Sequence, residues 1–544
     1  MNWVAVYYQY WPHVAAGFDV FACLLASGHA LLHKRDTRAA TIWIGVIWFL
    51  PALGPLLYLV MGVNRIRRRA VKLGVHKTFS RPVPENLGEP EHDGAEHLKH
   101  IARVVSRVAT QPLTAGNKIE PLVNGDAAFP AMLAAIEAAK ISVTLCTYIF
   151  DNDATGKQFV LALERAVKRG VAVRVLVDSA GTRYSWPPIT WKLRHAKIPF
   201  ARFLPASLLT PWRVATINLR NHRKSLVVDG AIAFTGGINI RHGNILGAHI
   251  SSLSSPKGGA ATAAMASEEV NDSENKISSP QPSPRLGGER ESASGPSKHF
   301  VQDLHFRVAG PVVTELQEAF ANDWAFTTEE ILDGDLWFPS SETRLLKTAS
   351  DADRLKAELP AGNVIARVIT DGPDADFENA RWTLLAALAE AQVSVKILTP
   401  YFLPDNALMT ALNLAALRGV RVDIILPEKN NLPVVHWASR ALWWQVLERG
   451  CKIWLTPPPF DHSKLMIVDG HWVLFGSANW DARSLRLNFE LNVEGYGRAF
   501  AQEMEKVIVK KMSAAREVTL AEVDARSLPA KLRDALARLF SPYL

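Results

Sequence analysis

The sequence predicts an α/β protein of two homologous lobes that together form one pseudo-twofold site, preceded by an N-terminal transmembrane helical hairpin. Three observations lead to this prediction. A set of polar residues recurs at an offset of 240 positions in a chain of 544 residues, each half repeats a strand, a helix and a strand, and 26 consecutive positions near the start lack charge. A duplicated α/β unit of this kind builds a sheet from short, buried strands.

The hairpin is predicted from two apolar segments. Residues 39–64, AATIWIGVIWFLPALGPLLYLVMGVN, contain no charged side chain and exceed the about 20 apolar residues that a spanning helix needs. Prolines within this segment are compatible with a membrane helix. The earlier segment, 11–33, is interrupted by Asp19 and His29, so it either spans or lies at the interface. Residues 1–75 are therefore predicted to be a membrane anchor.

The orientation is predicted from the basic residues beside the helices, because cytoplasmic loops are enriched in Lys and Arg. The side after the second segment is the more basic, which places the large C-terminal part in the cytoplasm. The residues compared are Arg65, Arg67, Arg68, Arg69 and Lys72 after the second segment against Lys34, Arg35 and Arg38 in the hairpin. The three cysteines are scattered and predict neither a disulfide framework nor a zinc site.

The two lobes follow a predicted linker at 76–110 and are placed at 111–345 and 346–544. In the first lobe ISVTLCTYIFDND and RGVAVRVLVD flank an Ala- and Leu-rich helix, and in the second VSVKILTPYFLPD and RGVRVDIILP do the same. The segment 251–297 is rich in Ser, Gly, Pro and Ala and is predicted to be a disordered insertion. A regulatory segment is the alternative for this stretch.

The recurring polar residues lie in NHRKSLVVDGAIAFTGGINI (221–240) and DHSKLMIVDGHWVLFGSANW (461–480). The matched residues are His222 and His462, Lys224 and Lys464, Asp229 and Asp469, Gly236 and Gly476, and Asn239 and Asn479. One copy alone would be compatible with a solvated strand and hairpin. Two copies at identical spacing favour a shared site.

The chemistry of these residue types suits phosphodiester displacement without a metal. Two histidines can divide the roles of nucleophile and general acid. Each lysine follows its histidine by two residues, so both side chains project from one face of a strand, where Lys224 and Lys464 would neutralise a phosphate. Asn239 and Asn479 would bind the same phosphate. Asp229 and Asp469 belong to the repeated pattern as candidate catalytic residues, although a structural role in the following turn is equally compatible. No metal-ligand cluster and no cofactor motif is apparent.

A basic and aromatic stretch precedes the first copy. From residue 179 to 228 there are nine Lys or Arg residues, six large aromatic residues and no acid, in a chain of net charge +8. Such a surface suits a nucleic acid or an anionic membrane. The apolar N-terminal segments favour the lipid and make nucleic acid an unlikely partner.

The two H-x-K-x(4)-D patterns, each followed by Gly and Asn, resemble the HKD motifs of the phospholipase D superfamily. Within that superfamily LYLVMGVNRIRRR, TYIF, TPYFLPD and GGINI resemble the bacterial cardiolipin synthase family. The resemblance implies that His222 is the nucleophile and that His462 protonates the leaving group, although the reverse assignment fits the pseudo-twofold pattern equally. The resemblance also implies that Glu490 in NFELNVEG orients a histidine. The matching tract of the first half is QDLHFRVAG, where Asp303 is the nearest acid and His305 stands in register with Glu490.

The function that the resemblance implies is transfer of a phosphatidyl group between two phosphatidylglycerols, with release of glycerol, by a multi-pass enzyme of the bacterial inner membrane. A phospholipase D that hydrolyses or exchanges head groups is the first alternative. A membrane-tethered phosphodiester nuclease and a non-catalytic scaffold are further alternatives.

Overall fold

The computed structural model of the protein describes residues 3–34, 37–62, 95–204, 219–247, 300–340, 362–372 and 376–541. The insertion predicted at 251–297 and the basic residues 65–72 lie outside the described residues. The helices are α1 Trp3–His33, α2 Thr37–Phe49, α3 Leu53–Leu57, α4 Lys99–Val108, α5 Asn124–Ala138, α6 Ala154–Lys168, α7 Thr190–His195, α8 Val312–Thr328, α9 Asn379–Glu390, α10 Asn406–Leu417, α11 Pro433–Arg440, α12 Trp443–Leu447, α13 Arg498–Met512, α14 Leu520–Asp524 and α15 Leu528–Arg538.

The strands are β1 Thr114–Val123, β2 Ser142–Thr147, β3 Ala172–Asp178, β4 Phe200–Phe203, β5 Ser225–Val228, β6 Ile232–Gly236, β7 Val301–Gln302, β8 Leu304–Ala309, β9 Val364–Asp371, β10 Ser394–Leu398, β11 Arg421–Pro427, β12 Lys452–Thr456, β13 Phe460–Asp461, β14 Leu465–Val468, β15 Trp472–Gly476, β16 Glu490–Tyr496 and β17 Arg516–Val518.

The N-terminal segments differ from the prediction. Among the described residues, the helix that is long and apolar enough to cross a membrane is Tyr10–His33 within α1. The segment 39–64 is not one helix: α2 ends at Phe49 and α3 begins at Leu53. Proline cannot continue the helical hydrogen bonding, and beyond Pro51 the backbone N–H of Ala52 donates instead to Asp19 Oδ1 at 2.6 Å. The carboxylate that interrupted the first segment thus stabilises the break in the second.

The duplication is confirmed by the sheet. Fifteen strands follow the order β17–β12–β11–β10–β14–β15–β16–β9–β1–β8–β6–β5–β2–β3–β4. Reading outward from the antiparallel β1–β9 pair, each strand of one half has a counterpart in the other, with β17 added at one edge. Each half combines parallel strands, such as β2 with β3, with an antiparallel hairpin, such as β5 with β6. The pseudo-twofold relation therefore passes between β1 and β9.

The two halves share a hydrophobic core, which fixes their relative position. One buried cluster contains Phe306 and Val308 of the first half together with Phe475 and Val493 of the second. The rings of Phe306 and Phe475 are 3.8 Å apart at their centroids. Packing of this density makes a rigid frame, so loops from both halves can build one site.

The crossover helices begin in the same way in both halves. Asp153 accepts the Gly156 backbone N–H at the start of α6, and Asp405 accepts N–H groups at the start of α10. An aspartate in this position satisfies N–H groups that have no partner within the helix. The repeated tracts FDND and LPD therefore encode helix starts.

The described part of the predicted linker is folded. In residues 95–108, Leu98, Ile101 and Val105 are buried in the core of the second lobe, where α4 packs against α9. Burial of these apolar residues attaches the segment to the second lobe, although it precedes the first lobe in sequence.

Candidate active site

The residues of the repeated motif lie where the two lobes meet. His222 and Lys224 directly precede β5, and His462 and Lys464 lie between β13 and β14. His222, Lys224 and Lys464 are buried, and the apolar residues that follow each lysine form central strands of the sheet. The ring centroids of the two histidines are 6.4 Å apart, with the planes nearly perpendicular. The structure therefore brings the two motifs together.

His222 is held by the second lobe. Its backbone N–H donates to the carbonyl oxygen of Phe489 at 2.9 Å, and its Nδ1 lies 3.0 Å from Oε2 of Glu490. Glu490 is fully buried and also accepts hydrogen bonds from the Ser477 hydroxyl and the Asn488 amide. A carboxylate at Nδ1 favours the tautomer that leaves Nε2 free to react.

His462 is held by the first lobe in the same way. Its backbone N–H donates to the carbonyl oxygen of Gln302 at 2.8 Å, and its Nδ1 lies 2.8 Å from Oδ2 of Asp303. Asp303 is also buried and accepts the backbone N–H of Leu304 at 2.8 Å. Each histidine is therefore oriented by a carboxylate of the opposite lobe.

The expected register, in which His305 matches Glu490, is wrong. Gly236 pairs with His305, and the matching Gly476 pairs with Asn492. Two residues earlier on each strand, Asp303 therefore corresponds to Glu490, and His305 corresponds to Asn492. The ungapped comparison of the two tracts misplaced the histidine because strand register is set by long-range pairing.

The two carboxylate environments are not identical. Ser477 binds Glu490, whereas the matching position in the first lobe is Gly237. A Cβ atom on Gly237 would lie 2.1 Å from Oδ1 of Asp303. Glycine is thus required where the first lobe brings its carboxylate close to the backbone, and the pseudo-twofold symmetry is broken at this point.

The lysines are buried beside the histidines. Lys224 Nζ donates to the carbonyl oxygen of His222 at 2.6 Å, and Lys464 Nζ donates to that of His462. Burial lowers the pKa of Lys224 to about 7, with Lys464 acting in the same direction and Glu490 opposing it. Burial also lowers the pKa of Lys464 to about 8. Both ammonium groups are held ready to neutralise an anion.

The histidines favour the neutral state in this site. Burial lowers the pKa of His462 to about 4, with Lys464 adding to the effect and Asp303 opposing it. Burial lowers the pKa of His222 as well, against the effect of Glu490. For Glu490 and Asp303, burial acts to raise the pKa, but the histidines and lysines outweigh it and lower the net pKa. The site therefore pairs ionised carboxylates with neutral imidazoles.

The two asparagines follow the hairpin strands. Asn239 Oδ1 accepts the backbone N–H of Ile149 at 3.0 Å. Asn479 Nδ2 donates to the Ser484 hydroxyl at 3.0 Å, and Asn479 lines a small cavity together with Lys464. Phosphate binding by both asparagines stays a prediction.

The aspartates of the motif lie away from the histidines. Oδ1 of Asp229 accepts the backbone N–H groups of Ile141 and Ser142, and its Oδ2 accepts that of Lys140. Asp469 accepts three equivalent N–H groups and contacts His97. Their positive φ angles, 52° and 50°, place them in tight turns. These contacts favour the structural role over the catalytic one that was also predicted for Asp229 and Asp469, because the carboxylates tie the turn to the neighbouring strand.

Several residues around the site were not predicted from the sequence, although Tyr148 and Tyr401 lie in the repeated tracts TYIF and TPYFLPD. The rings of Tyr148 and His222 are 5.1 Å apart at their centroids, and those of Tyr401 and His462 are 6.1 Å apart. Arg223 is buried and binds Asp323 at 2.7 Å. Its Nε donates to the Glu490 carbonyl oxygen at 3.0 Å. Its counterpart is Ser463, so the repeat could not identify it.

The described residues contain no group of three or more His, Cys, Asp or Glu side chains that could hold a metal ion. The site has two facing histidines. Each has a lysine two residues later and a carboxylate from the other lobe. This arrangement is that of a two-histidine phosphodiester-transfer site of the phospholipase D type.

Comparison with known proteins agrees with this class. The family described as "Cardiolipin synthase, PLD-like domain" matches residues 132–249 and 384–512, and "Phospholipase_D-nuclease N-terminal" matches residues 21–62. The cardiolipin synthase A of Pseudomonas putida is 30% identical over 531 residues, 96% of this chain and 95% of that protein. The cardiolipin synthase of Oceanobacillus iheyensis is 28% identical over 96% of each chain. The chain belongs to the cardiolipin synthase family of phospholipase D-like proteins.

The phosphatidylserine synthase of Haemophilus influenzae Rd KW20 has a similar fold. Its crystal structure aligns with a TM-score of 0.54 at 13% identity and covers 82% of this chain and 100% of that chain. This likeness concerns the two-lobed fold alone.

Proposed function

We propose that the protein joins two phosphatidylglycerols into cardiolipin and releases glycerol. The observation that carries the proposal is the pair of histidines, 6.4 Å apart at their ring centroids and each oriented by a buried carboxylate of the opposite lobe. Relatives that match over 96% of the chain are named cardiolipin synthases, which supports cardiolipin as the product.

The proposed reaction has two displacements. Nε2 of His222 attacks the phosphorus of one phosphatidylglycerol, an N–P bond forms, and the bond from phosphorus to the terminal glycerol oxygen breaks. His462 gives its proton to that oxygen. A glycerol hydroxyl of the second phosphatidylglycerol then gives its proton to His462 and attacks phosphorus, which breaks the N–P bond. Lys224 and Lys464 stabilise the negative charge on the phosphoryl oxygens throughout.

His462 must be protonated for the first step, although its pKa in the empty site is about 4. An anionic phosphodiester between the two histidines raises the pKa of a neighbouring imidazole, because the negative charge favours the protonated form. In this proposal, substrate binding therefore favours protonation of His462, and a proton is taken up with the first lipid.

The entrance of the site is proposed to face an anionic bilayer. Tyr184 contacts Tyr148 beside His222, and the next aromatic residue, Trp186, is 92% exposed. The neighbours of Trp186 are fixed, since the Ser185 hydroxyl and the Pro187 carbonyl oxygen both accept hydrogen bonds from Asn152. An exposed tryptophan on a fixed, acid-free and basic loop suits the membrane interface. A second lipid would then reach the intermediate in preference to water.

The membrane anchor is proposed to be a helical hairpin in the bacterial inner membrane, with the two lobes in the cytoplasm. α1 has the length to cross, and α2 packs against it, with the Trp48 indole N–H donating to the Ser27 hydroxyl at 3.1 Å. Residues 21–62 match the family described as "Phospholipase_D-nuclease N-terminal". This match supports an N-terminal segment of that type ahead of the two lobes.

The test is product analysis with the purified full-length protein in phosphatidylglycerol bilayers. We expect cardiolipin and glycerol in equal amounts, and we expect none from the His462→Asn variant. Phosphatidic acid as the dominant product would instead identify a hydrolytic phospholipase D, and cleavage of DNA or RNA without lipid turnover would identify a nuclease.

A further inference from the structure

The C-terminal helix α15 and the turn after it present a stripe of exposed apolar side chains. Its members are between 56% and 73% exposed and comprise Leu528, Leu532, Leu536, Leu539 and Phe540. With 3.6 residues per turn these positions fall within an arc of about 120° on a helical projection. Soluble proteins rarely leave a contiguous apolar face of this kind uncovered.

The opposite side of α15 is firmly attached to the second lobe. Asp534 and Ala537 are buried, and Asp534 binds Arg526 at 2.6 Å and Arg533 at 2.7 Å. The guanidinium of Arg533 lies 4.6 Å from the ring centroid of Trp437 on α11. The helix is therefore anchored by one face, and the apolar stripe faces outward in a fixed orientation.

The charges beside the stripe have one sign. Lys531 and Arg538 lie on one flank and Arg533 on the other, while the single acid of the helix, Asp534, is fully buried. An apolar face bordered by basic residues is typical of a helix that lies in the interface of an anionic membrane.

We propose that α15 is a further membrane contact, in addition to the N-terminal apolar helix and the loop of Trp186, and that its stripe inserts among anionic phospholipids. A symmetric contact between two copies would bring the same surface of each copy together. That contact would place Lys531 and Arg538 near their own counterparts without an exposed acid on α15 to pair with them. The charge pattern therefore favours lipid over a second copy.

Site-specific labelling of the full-length protein tests this proposal without requiring catalysis. Cys23, Cys146 and Cys451 are all buried, so a thiol-reactive, polarity-sensitive dye should label an introduced Leu532→Cys selectively. Leu161→Cys is the matched control, because Leu161 is half exposed on α6 in the other lobe.

In nanodiscs that contain phosphatidylglycerol, the dye at position 532 should report an apolar environment and resist iodide quenching, and nanodiscs of phosphatidylcholine alone should give a smaller effect. The dye at position 161 should remain open to iodide in both. Equal iodide access at the two positions would overturn the proposal. If position 532 is protected from iodide in detergent, and this protection increases with protein concentration, the stripe contacts a second copy instead.

A kinetic experiment adds the consequence for turnover. The double variant Leu532→Ser, Leu536→Ser should raise KM for bilayer phosphatidylglycerol about fivefold and leave kcat/KM for a soluble nitrophenyl phosphodiester unchanged. An unchanged KM for the bilayer substrate would contradict the proposal. Absence of cardiolipin from the unmodified protein would instead refute the proposed function, and the labelling result would stand independently.

Discussion

The two carboxylates are predicted to support different roles in the first displacement, nucleophilic attack and leaving-group protonation, because each orients one histidine. In Glu490→Gln the buried charge next to Nδ1 of His222 is removed, and in Asp303→Asn the charge next to Nδ1 of His462 is removed. A hydrogen bond to a charged group contributes about 1.5–3 kcal/mol, and about 1.4 kcal/mol corresponds to a tenfold change in rate. Each variant should therefore form the phosphohistidine adduct about 10-fold to 150-fold more slowly with phosphatidylglycerol.

The leaving group separates the two effects. A phosphodiester lipid with a nitrophenyl leaving group needs no general acid, so it should restore adduct formation in Asp303→Asn to within about tenfold of the unmodified protein. It should leave Glu490→Gln slow, since His222 remains the nucleophile. Intact-protein mass spectrometry after rapid mixing measures the phosphatidyl adduct, and Asp229→Asn serves as the control because that carboxylate binds only backbone N–H groups in the described structure.

Rescue of Glu490→Gln but not of Asp303→Asn would reverse the assignment of nucleophile and acid. Equal behaviour of the two variants with both lipids would refute the reasoning that each carboxylate acts through one histidine. Peptide mapping of the adduct locates the modified histidine and decides between the two assignments.

Four further outcomes are expected. The profile of kcat/KM against pH should fall on the acid side where the nucleophile His222 becomes protonated, below the ordinary histidine value because burial lowers its pKa. It should fall more steeply above pH 7 to 8, where Lys224 and Lys464 lose their protons; an acid limb at the ordinary histidine value would contradict the effect of burial. Asp229→Ala should lower the free energy of unfolding by about 2 kcal/mol while the folded fraction keeps its kcat, as measured by denaturation and turnover in the same preparation. Turnover should persist in strong chelators, and a loss that a single metal reverses would count against the two-histidine chemistry. Replacing residues 251–297 with a short Gly/Ser linker should preserve both the membrane insertion of the protein and its activity. A folded but inactive variant would show that this segment contributes to the site.

The fold could be predicted from sequence to the extent that its information is local or repeated. The short buried strands, the Ala- and Leu-rich helix of each half, and the duplication all follow from patterns within a few residues or from the comparison of the two halves. The N-terminal segments were harder to predict. Their composition indicates membrane helices, but the break after Phe49 depends on Pro51 and on a hydrogen bond from Ala52 to Asp19 in another helix.

The sequence by itself determined the reactive groups of the site, because identical spacing in two copies identifies His222, Lys224, His462 and Lys464 without any knowledge of their contacts. It left the role of the motif aspartates open, because a residue at the end of a strand can face either a site or a turn. The hydrogen bonds of Asp229 to the neighbouring strand show that its side chain stabilises the turn.

Only the tertiary structure decided which carboxylate serves which histidine. Glu490 and His222 are 268 positions apart, and Asp303 and His462 are 159 positions apart. Their pairing follows from the shared core between the lobes and from the register of β8 and β16. A periodic pattern encodes which face of a strand is buried, but strand register and the contact between lobes are set by packing across the whole chain. The exchange of carboxylates between the lobes is therefore a property of the assembled fold.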